Sequence, residues 1–140
     1  MRVMVLVKAD EDSESGRVPS RDELNEMGKF NEQLVKAGIM LAGEGLRDSS
    51  RGKRVRFEDT GTTVLDGPFA ETKELVAGFW IWQVKSMEEA VEWIKRAPFR
   101  NTELELRQVY EDADFGENFT PEMQAREQAL REQAAANTQQ

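Results

Sequence analysis

The pattern of apolar and polar positions is clearest in two segments of the chain. Residues 2–8 alternate valines with other apolar side chains, so both faces of a strand here would be apolar. In residues 78–84, Trp80 and Trp82 share one face, and other apolar side chains occupy the opposite one. A strand that is apolar on both faces is normally covered on both sides. The pattern therefore predicts two central strands of one sheet.

Two amphipathic helices are predicted from their capping signals. Ser20 and Glu23 have the spacing of a capping box, and Gly38 stands at the position where a helix commonly ends in a left-handed residue. Between them, apolar residues recur at helical spacing. The predicted stripe is Leu24, Met27, Phe30, Leu34 and Val35. A second helix is predicted to begin after Ser86 and to end before Pro98.

Shorter elements connect these segments. Residues 9–19 and 47–52 are polar and are predicted to be loops. Residues 43–45 have the sequence Gly-Glu-Gly, which predicts a flexible bend that carries one carboxylate. A turn at residues 59–61 suggests a hairpin between two of the remaining strands. Those remaining strands are predicted at residues 39–42, 53–57, 62–65 and 103–110.

The order of the elements predicts an α+β domain. Strands, two helices and a hairpin in this order are typical of a ferredoxin-like antiparallel sheet with its helices on one face. We place this domain at residues 1–115. Residues 116–140 are expected to be a separate acidic tail with an extra C-terminal helix, because Thr120 and Pro121 form a typical helix start.

One face of the predicted sheet needs a cover that the helices of this chain do not supply. A second copy of the chain is the simplest cover, so we expect a homodimer. The expected interface residues are Trp80 and Trp82, together with either Met4 and Leu6 or Val3 and Val5.

Composition excludes several classes of function. The formal net charge of the 140 residues is -8, which disfavours nucleic acid and anionic membranes as partners. The chain has no Cys and no His, so thiolate chemistry is absent and the commonest general base is missing. The apolar run at the start of the chain is too short for a signal peptide or a membrane span, so we expect a cytoplasmic protein. No P-loop or dinucleotide motif is present, and we expect neither an organic cofactor nor a metal.

Five residues are candidates for a functional site. Asp66, in the turn Asp66-Gly67-Pro68, is the candidate catalytic acid or base, and its alternative role is to cap that turn. Glu44, Glu71, Lys73 and Trp80 are the candidate substrate-binding residues. The alternatives are that the charged residues are solvated and that Trp80 belongs to the core or an interface. We expect any pocket where the Asp66 turn meets the Glu44 bend.

The sequence resembles the YCII-related, or DGPF-domain, family. The second name is the motif Asp-Gly-Pro-Phe, which occupies residues 66–69, and the likeness includes residues 43–46, 70–74 and 78–80. The resemblance implies a ferredoxin-like fold that pairs into a dimeric α/β barrel. An enzymatic role has been inferred for some relatives from a His and Asp pair, and others are linked to sigma factors. Here Met27 stands roughly where that His is expected, which disfavours a mechanism that depends on His.

Two functions from different classes remain open at this point. The first is a cofactor-free small-molecule enzyme in which Asp66 acts as acid or base and Glu44 and Lys73 orient the substrate. The second is a non-catalytic module that binds a small ligand or a protein partner. A carboxylate with a raised pKa in a closed pocket would favour the enzyme. A shallow groove would favour binding.

Overall fold

The computed structural model describes residues 1–138 and divides the chain into two compact units, with residues 1–109 in the first. The strands of the first unit are β1 (Arg2–Lys8), β2 (Met40–Gly45), β3 (Lys53–Glu58), β4 (Gly61–Asp66), β5 (Val76–Gln83) and β6 (Leu104–Gln108). Its helices are α1 (Glu11–Glu14), α2 (Arg21–Lys36) and α3 (Met87–Ile94). The second unit contains a 3₁₀ segment, Asp112–Asn118, and helix α4 (Pro121–Asn137).

Four strands form the main sheet, in the order β2-β5-β1-β6, and every neighbouring pair is antiparallel. Helix α2 follows β1 and helix α3 follows β5. Residues from both helices belong to the same core cluster as residues of the central strands. This arrangement is the predicted ferredoxin-like α+β fold.

The register of β1 and β5 separates two faces of the sheet. The covered face carries Val3, Val5, Trp80 and Trp82, which are 0–5% exposed and pack with Phe30 and Leu34 of α2 and Ala90 of α3. The open face carries Met4, Leu6, Phe79 and Ile81, which are half-buried and lie outside that core cluster. The interface predicted for Trp80 and Trp82 is therefore corrected, because both rings lie under the helices. The alternation of side chains along β1 and β5 identifies two apolar faces, but it does not indicate which face the helices cover.

Helix α2 begins and ends where its sequence signals predicted. The Ser20 side chain accepts a hydrogen bond from the backbone N–H of Glu23 at 3.1 Å. At the other end Gly38 has φ 74°, and the N–H groups of Gly38 and Ile39 donate to carbonyls of the last turn. The predicted apolar stripe is broader than the buried one, since Leu24 and Val35 are exposed.

Two predicted irregular segments are regular in the structure. Residues 11–14 form the short helix α1, which Asp10 and Ser13 cap reciprocally, instead of lying in a loop. The Gly-Glu-Gly segment continues strand β2 instead of bending away from it, and Gly43 lies opposite Trp80. A Cβ atom at Gly43 would lie 2.6 Å from Trp80 Cδ1. This glycine therefore makes room for a ring and does not serve as a hinge.

Strands β3 and β4 form the predicted hairpin, as a two-stranded sheet separate from the main one. Its apolar side chains are largely solvent-exposed, with Phe57 84% exposed. The last predicted strand is confirmed as β6, one or two residues shorter at each end than expected. Leu104 and Leu106 of this strand pack against the core.

The second unit contains the predicted tail helix. Thr120 caps α4 by accepting from the N–H of Met123, and Pro121 occupies the first turn. No described residue of α4 is buried. Within residues 1–138, every helix is too short or too polar to cross a membrane.

Candidate functional site

The Asp66-Gly67-Pro68-Phe69 segment lies directly on the turn that contains Ser49. The N–H of Gly67 donates to the carbonyl of Gly52 at 3.0 Å. A Cβ atom at Gly67 would lie 1.7 Å from the Ser49 carbonyl oxygen, so any side chain at this position would collide with backbone. The Gly67–Pro68 peptide bond is cis. Close backbone approach, and not a left-handed φ, therefore explains the glycine of this motif.

Ser49 links three parts of the chain at this point. Its N–H donates to a carboxylate oxygen of Glu14 in α1 at 2.9 Å, and its hydroxyl donates to the other oxygen. The same hydroxyl accepts from the N–H of Phe69 at 3.0 Å. Glu14 thus orients Ser49, and Ser49 fixes the motif. These bonds assign a structural role to this part of the loop.

Asp66, the candidate acid or base, is the last residue of β4 and its side chain is 75% exposed. Its carboxylate forms an ion pair with Lys53 on the neighbouring strand. The expected alternative, a carboxylate that caps its own turn, is not formed either, since no backbone N–H in the described chain donates to it. The Asp66 carboxylate is therefore paired with a lysine and open to solvent, which disfavours it as a catalytic acid or base.

Glu71 and Phe69 are held by one arginine of the hairpin. The Arg54 guanidinium lies 4.0 Å from the centre of the Phe69 ring, and its Nη1 is 3.3 Å from Glu71 Oε2. The pKa of Glu71 is lowered, first by the hydrogen bond from its own backbone N–H and then by Arg54. Glu71 therefore remains ionised and anchors the hairpin to the motif loop.

Lys73 and Glu44 lie apart from this network. Lys73 is exposed on the 3₁₀ turn Thr72–Glu74. Glu44 is exposed on β2, directly opposite Phe79 of β5, and so projects from the open face. Across residues 1–138, no hydrogen bond or ion pair joins Asp66 to Glu44 or to Lys73. Glu44 lies near the end of the main sheet where β2 stops and β5 starts, whereas Asp66 belongs to the separate hairpin sheet.

Trp80, the candidate pocket wall, is 5% exposed and belongs to the covered face. Its Nε1 donates to Asn31 Oδ1 of α2 at 2.9 Å, which satisfies the one polar group of the ring. Its ring packs edge-to-face with Phe30 and Phe99, at centroid distances of 5.9 and 6.0 Å. The geometry favours the core alternative for Trp80, and Trp80 and Glu44 point to opposite faces.

Sequence reasoning missed several residues that organise this region. Glu14 was assigned to a loop, and neither Ser49 nor Arg54 belonged to a predicted site. Only the spacing of Asp10 and Ser13, which cap α1, indicated a turn that could place Glu14. Within the described residues no group of three or more acidic side chains is arranged to hold a metal ion.

The chain is similar to proteins of one family. A family model described as the YCII-related domain matches residues 1–112. An uncharacterized protein of Rhizobium meliloti (strain 1021) is 30% identical over 97 residues, which cover 68% of this chain and 78% of that protein.

A solved structure also resembles the chain, though loosely. It is the 5-chloro-2-hydroxyhydroquinone dehydrochlorinase TftG from Burkholderia phenoliruptrix AC1100, in complex with 2,5-dihydroxybenzoquinone. The match covers 79% of this chain and 96% of that one, at 20% identity and a TM-score of 0.42. At that score the two structures superpose too loosely for site residues to be transferred.

Proposed function

Because the chain belongs to the YCII-related domain family, we propose that it is a small-molecule-binding protein whose site lies on the open face beside Glu44. The observation that carries the proposal is the position of Glu44 opposite Phe79, next to an apolar sheet face that lies outside the helix-covered core. A carboxylate at the border of an apolar surface suits a compact ring compound with a hydroxyl or amine donor.

A second copy of the chain is the cover that closes this site in our proposal. The half-buried apolar side chains of the open face supply the centre of such an interface. The β2 border of the face carries Glu44, and the β6 border carries Lys8 and Arg107 with one opposing carboxylate, Glu105. A two-fold axis along the strands brings the β2 border of one copy against the β6 border of the other. The opposite charges of the two borders favour that pairing.

Acid–base catalysis by Glu44 is the second candidate function. Enclosure by a second copy would hold this carboxylate against Phe79 and away from water, in a position to exchange a proton with a bound ring compound. Asp66 is the weaker choice for this role, because its carboxylate is already paired with Lys53 and its side chain is 75% exposed. In this candidate function, Lys73 and Glu71 have no catalytic role and contribute to loop structure and surface charge.

Thermal-shift screening tests the binding site. A panel of phenols, anilines and aromatic amino acids should contain compounds that raise the melting temperature of the wild type, and Glu44→Gln should abolish those shifts while leaving the unliganded protein folded. Glu74→Gln is the matched control, because Glu74 is an exposed carboxylate on the neighbouring 3₁₀ turn. Equal shifts in wild type and Glu44→Gln would remove Glu44 from the site.

Light scattering coupled to gel filtration tests the cover. The wild type should elute as a dimer at micromolar concentration, and Phe79→Arg should elute as a folded monomer because it places a charge at the centre of the open face. Phe57→Arg, on the exposed hairpin, should remain dimeric. A wild type that is monomeric throughout this range would rule out the second copy.

A further inference from the structure

The second unit begins with a row of stacked aromatic rings. The rings of Tyr110 and Phe115 are 4.7 Å apart and nearly parallel, at 17°. Phe119 continues the row at 5.4 Å from Phe115. Tyr110 is 66% exposed and Phe115 is 47% exposed, so both rings present area to solvent. A contiguous row of exposed aromatic rings is unusual on a protein surface and commonly marks an interaction site.

Local hydrogen bonds give this aromatic row a defined shape. The N–H of Glu111 donates to the Asp114 side chain at 2.8 Å, and the Glu111 side chain accepts from the Asp114 backbone. Gly116 turns the chain with φ 67°, which returns Phe119 toward the other rings. Thr120 then starts α4. Each of these contacts joins residues that are close together in the sequence.

A shallow groove of about 700 Å³ lies beside the rings. It is lined by Asp112, Ala113, Gly116, Glu117, Phe119, Pro121 and Gln124. Its lining therefore includes an aromatic residue, a proline and two acidic residues. A groove of this kind accommodates a side chain with a flat apolar surface and a positive charge.

The surrounding charge has one sign. Residues 108–125 contain five acidic side chains and no Lys or Arg. The negative field around the groove attracts cations and repels acidic partners. The combination of carboxylates with exposed aromatic faces distinguishes this surface from an ordinary solvated acidic segment.

We propose that the aromatic row Tyr110–Phe115–Phe119 and its groove form a docking site for an arginine-bearing segment of a partner protein. Arginine fits better than lysine, because a planar guanidinium stacks on an aromatic face and pairs with a carboxylate through two N–H groups. The same chain shows this preference twice, with Arg54 over Phe69 at 4.0 Å and Arg96 over Trp93 at 4.5 Å.

The β3–β4 hairpin of a second copy, which carries Lys53, Arg54 and Arg56, is a less suitable occupant than a partner protein. Two of its cations already have partners within their own unit, since Lys53 pairs with Asp66 and Arg54 pairs with Glu71. Moving either cation would leave a carboxylate without its counter-ion, and moving Arg54 would also separate it from the Phe69 ring. A foreign arginine carries neither cost, whereas Arg56 is the one cation of the described hairpin outside these pairs.

Fluorescence anisotropy with labelled hexa-arginine and hexa-lysine probes tests the proposal on the full chain. Hexa-arginine should bind about fivefold more tightly than hexa-lysine, which corresponds to one stacked guanidinium. Phe115→Leu keeps the bulk but removes the ring face, and it should abolish that preference. Asp112→Asn combined with Glu117→Gln should weaken both probes and reduce the salt dependence. Circular dichroism should show that the variants remain folded.

Matched controls separate this site from general attraction to an acidic protein. Phe57→Leu removes another exposed ring, and Glu88→Gln removes a carboxylate on α3. Both controls should leave binding and the preference for arginine unchanged. Equal binding of the two probes by the wild type, or equal losses in the site and control variants, would overturn the proposal. Concentration-dependent self-association that Phe115→Leu abolishes would also overturn it, because a second copy would then be the occupant.

Discussion

The covered and open faces of the main sheet are made by the same strands, yet their environments differ. On the covered face Val3, Val5 and Trp82 have no solvent exposure. On the open face, Met4 and Ile81 are each adjacent in sequence to at least one of these residues, yet they are only half-buried. The helices supply the whole difference, because residues from α2 and α3 belong to the core on one face.

This difference shows that two apolar faces of one sheet can have different functions. A face that is closed by the helices of its own chain contributes stability and presents no binding surface. A face that is apolar and not covered by those helices retains area for a second copy or a ligand. Substitutions at comparable positions on the two faces test this division, because their effects on stability should differ.

The largest expected effect is at the buried indole of the covered face. Trp82→Ala should lower the free energy of unfolding by about 3–5 kcal/mol, because it removes a fully buried ring and leaves a cavity. Phe79→Ala on the open face should cost only about 1 kcal/mol at low protein concentration. Urea unfolding curves recorded at several protein concentrations check both values. The cost of Phe79→Ala should grow with concentration if a second copy buries this ring. Equal losses in the two variants would contradict the division into two faces.

The next effect concerns the glycine under Trp80. Gly43→Ala should lower the free energy of unfolding by about 2 kcal/mol, because its Cβ would meet Trp80 Cδ1 at 2.6 Å and Met40 Cε at 2.9 Å. Gly45→Ala is the control on the same strand, since a Cβ there meets no atom within 4 Å. Thermal unfolding of both variants provides the measurement. A Gly43 variant as stable as the Gly45 variant would mean that the ring moves aside freely.

A smaller effect is expected at the polar anchor of the same ring. Asn31→Ala removes the acceptor of the Trp80 N–H bond and should cost about 1 kcal/mol. In a Trp80→Phe background the same substitution should cost much less, because no donor remains to be satisfied. A double-mutant cycle of unfolding free energies gives the coupling directly. Zero coupling would show that the hydrogen bond does not fix α2 to the sheet.

The smallest effect is a pH dependence at the border of the open face. The pKa of Glu105 is lowered, first by the hydrogen bond from Arg107 and then by the charges of Lys8 and Arg107. A carboxyl group whose pKa is lowered by folding stabilises the folded state at pH values above the pKa of the unfolded chain. For Glu105 this stabilisation is lost as the pH falls below about 4.5. Arg107→Gln should therefore flatten the acid limb of the stability curve.

A charge-matched control accompanies the pH experiment. Arg131→Gln removes one positive charge from α4, in the second unit, and should leave the acid limb unchanged. Chemical unfolding between pH 3 and pH 7 measures both variants and the wild type. If the two substitutions alter the acid limb equally, net charge explains the effect and the Glu105 network does not.

Local sequence signals predicted most of the secondary structure. Ser20, Gly38 and Thr120 act through atoms only a few residues away, so their positions define helix ends without knowledge of the fold. The alternation around Trp80 and Trp82 likewise follows from strand geometry alone. The family was also identifiable, because its motifs are contiguous in the sequence.

The candidate site was less predictable, because its contacts join distant segments. Glu14 reaches Ser49 across 35 positions, and Ser49 reaches Phe69 across 20. The sequence predicted that Gly67 is needed for the conformation of a turn. In the structure glycine is required there because the Ser49 carbonyl leaves no room for a Cβ atom. The prediction of one pocket shared by Asp66 and Glu44 remains to be tested by ligand binding.

The sequence by itself determined the strands, the helix ends and the presence of two apolar sheet faces, since these depend on short-range geometry and on the periods of strand and helix. Only the tertiary structure decided which face the helices cover, that Trp80 belongs to the core, and that Glu44 stands on the open side. The physical reason is that a strand with two apolar faces is nearly symmetric in its sequence. The choice between those faces is made by the chain connections and by the packing of α2 and α3.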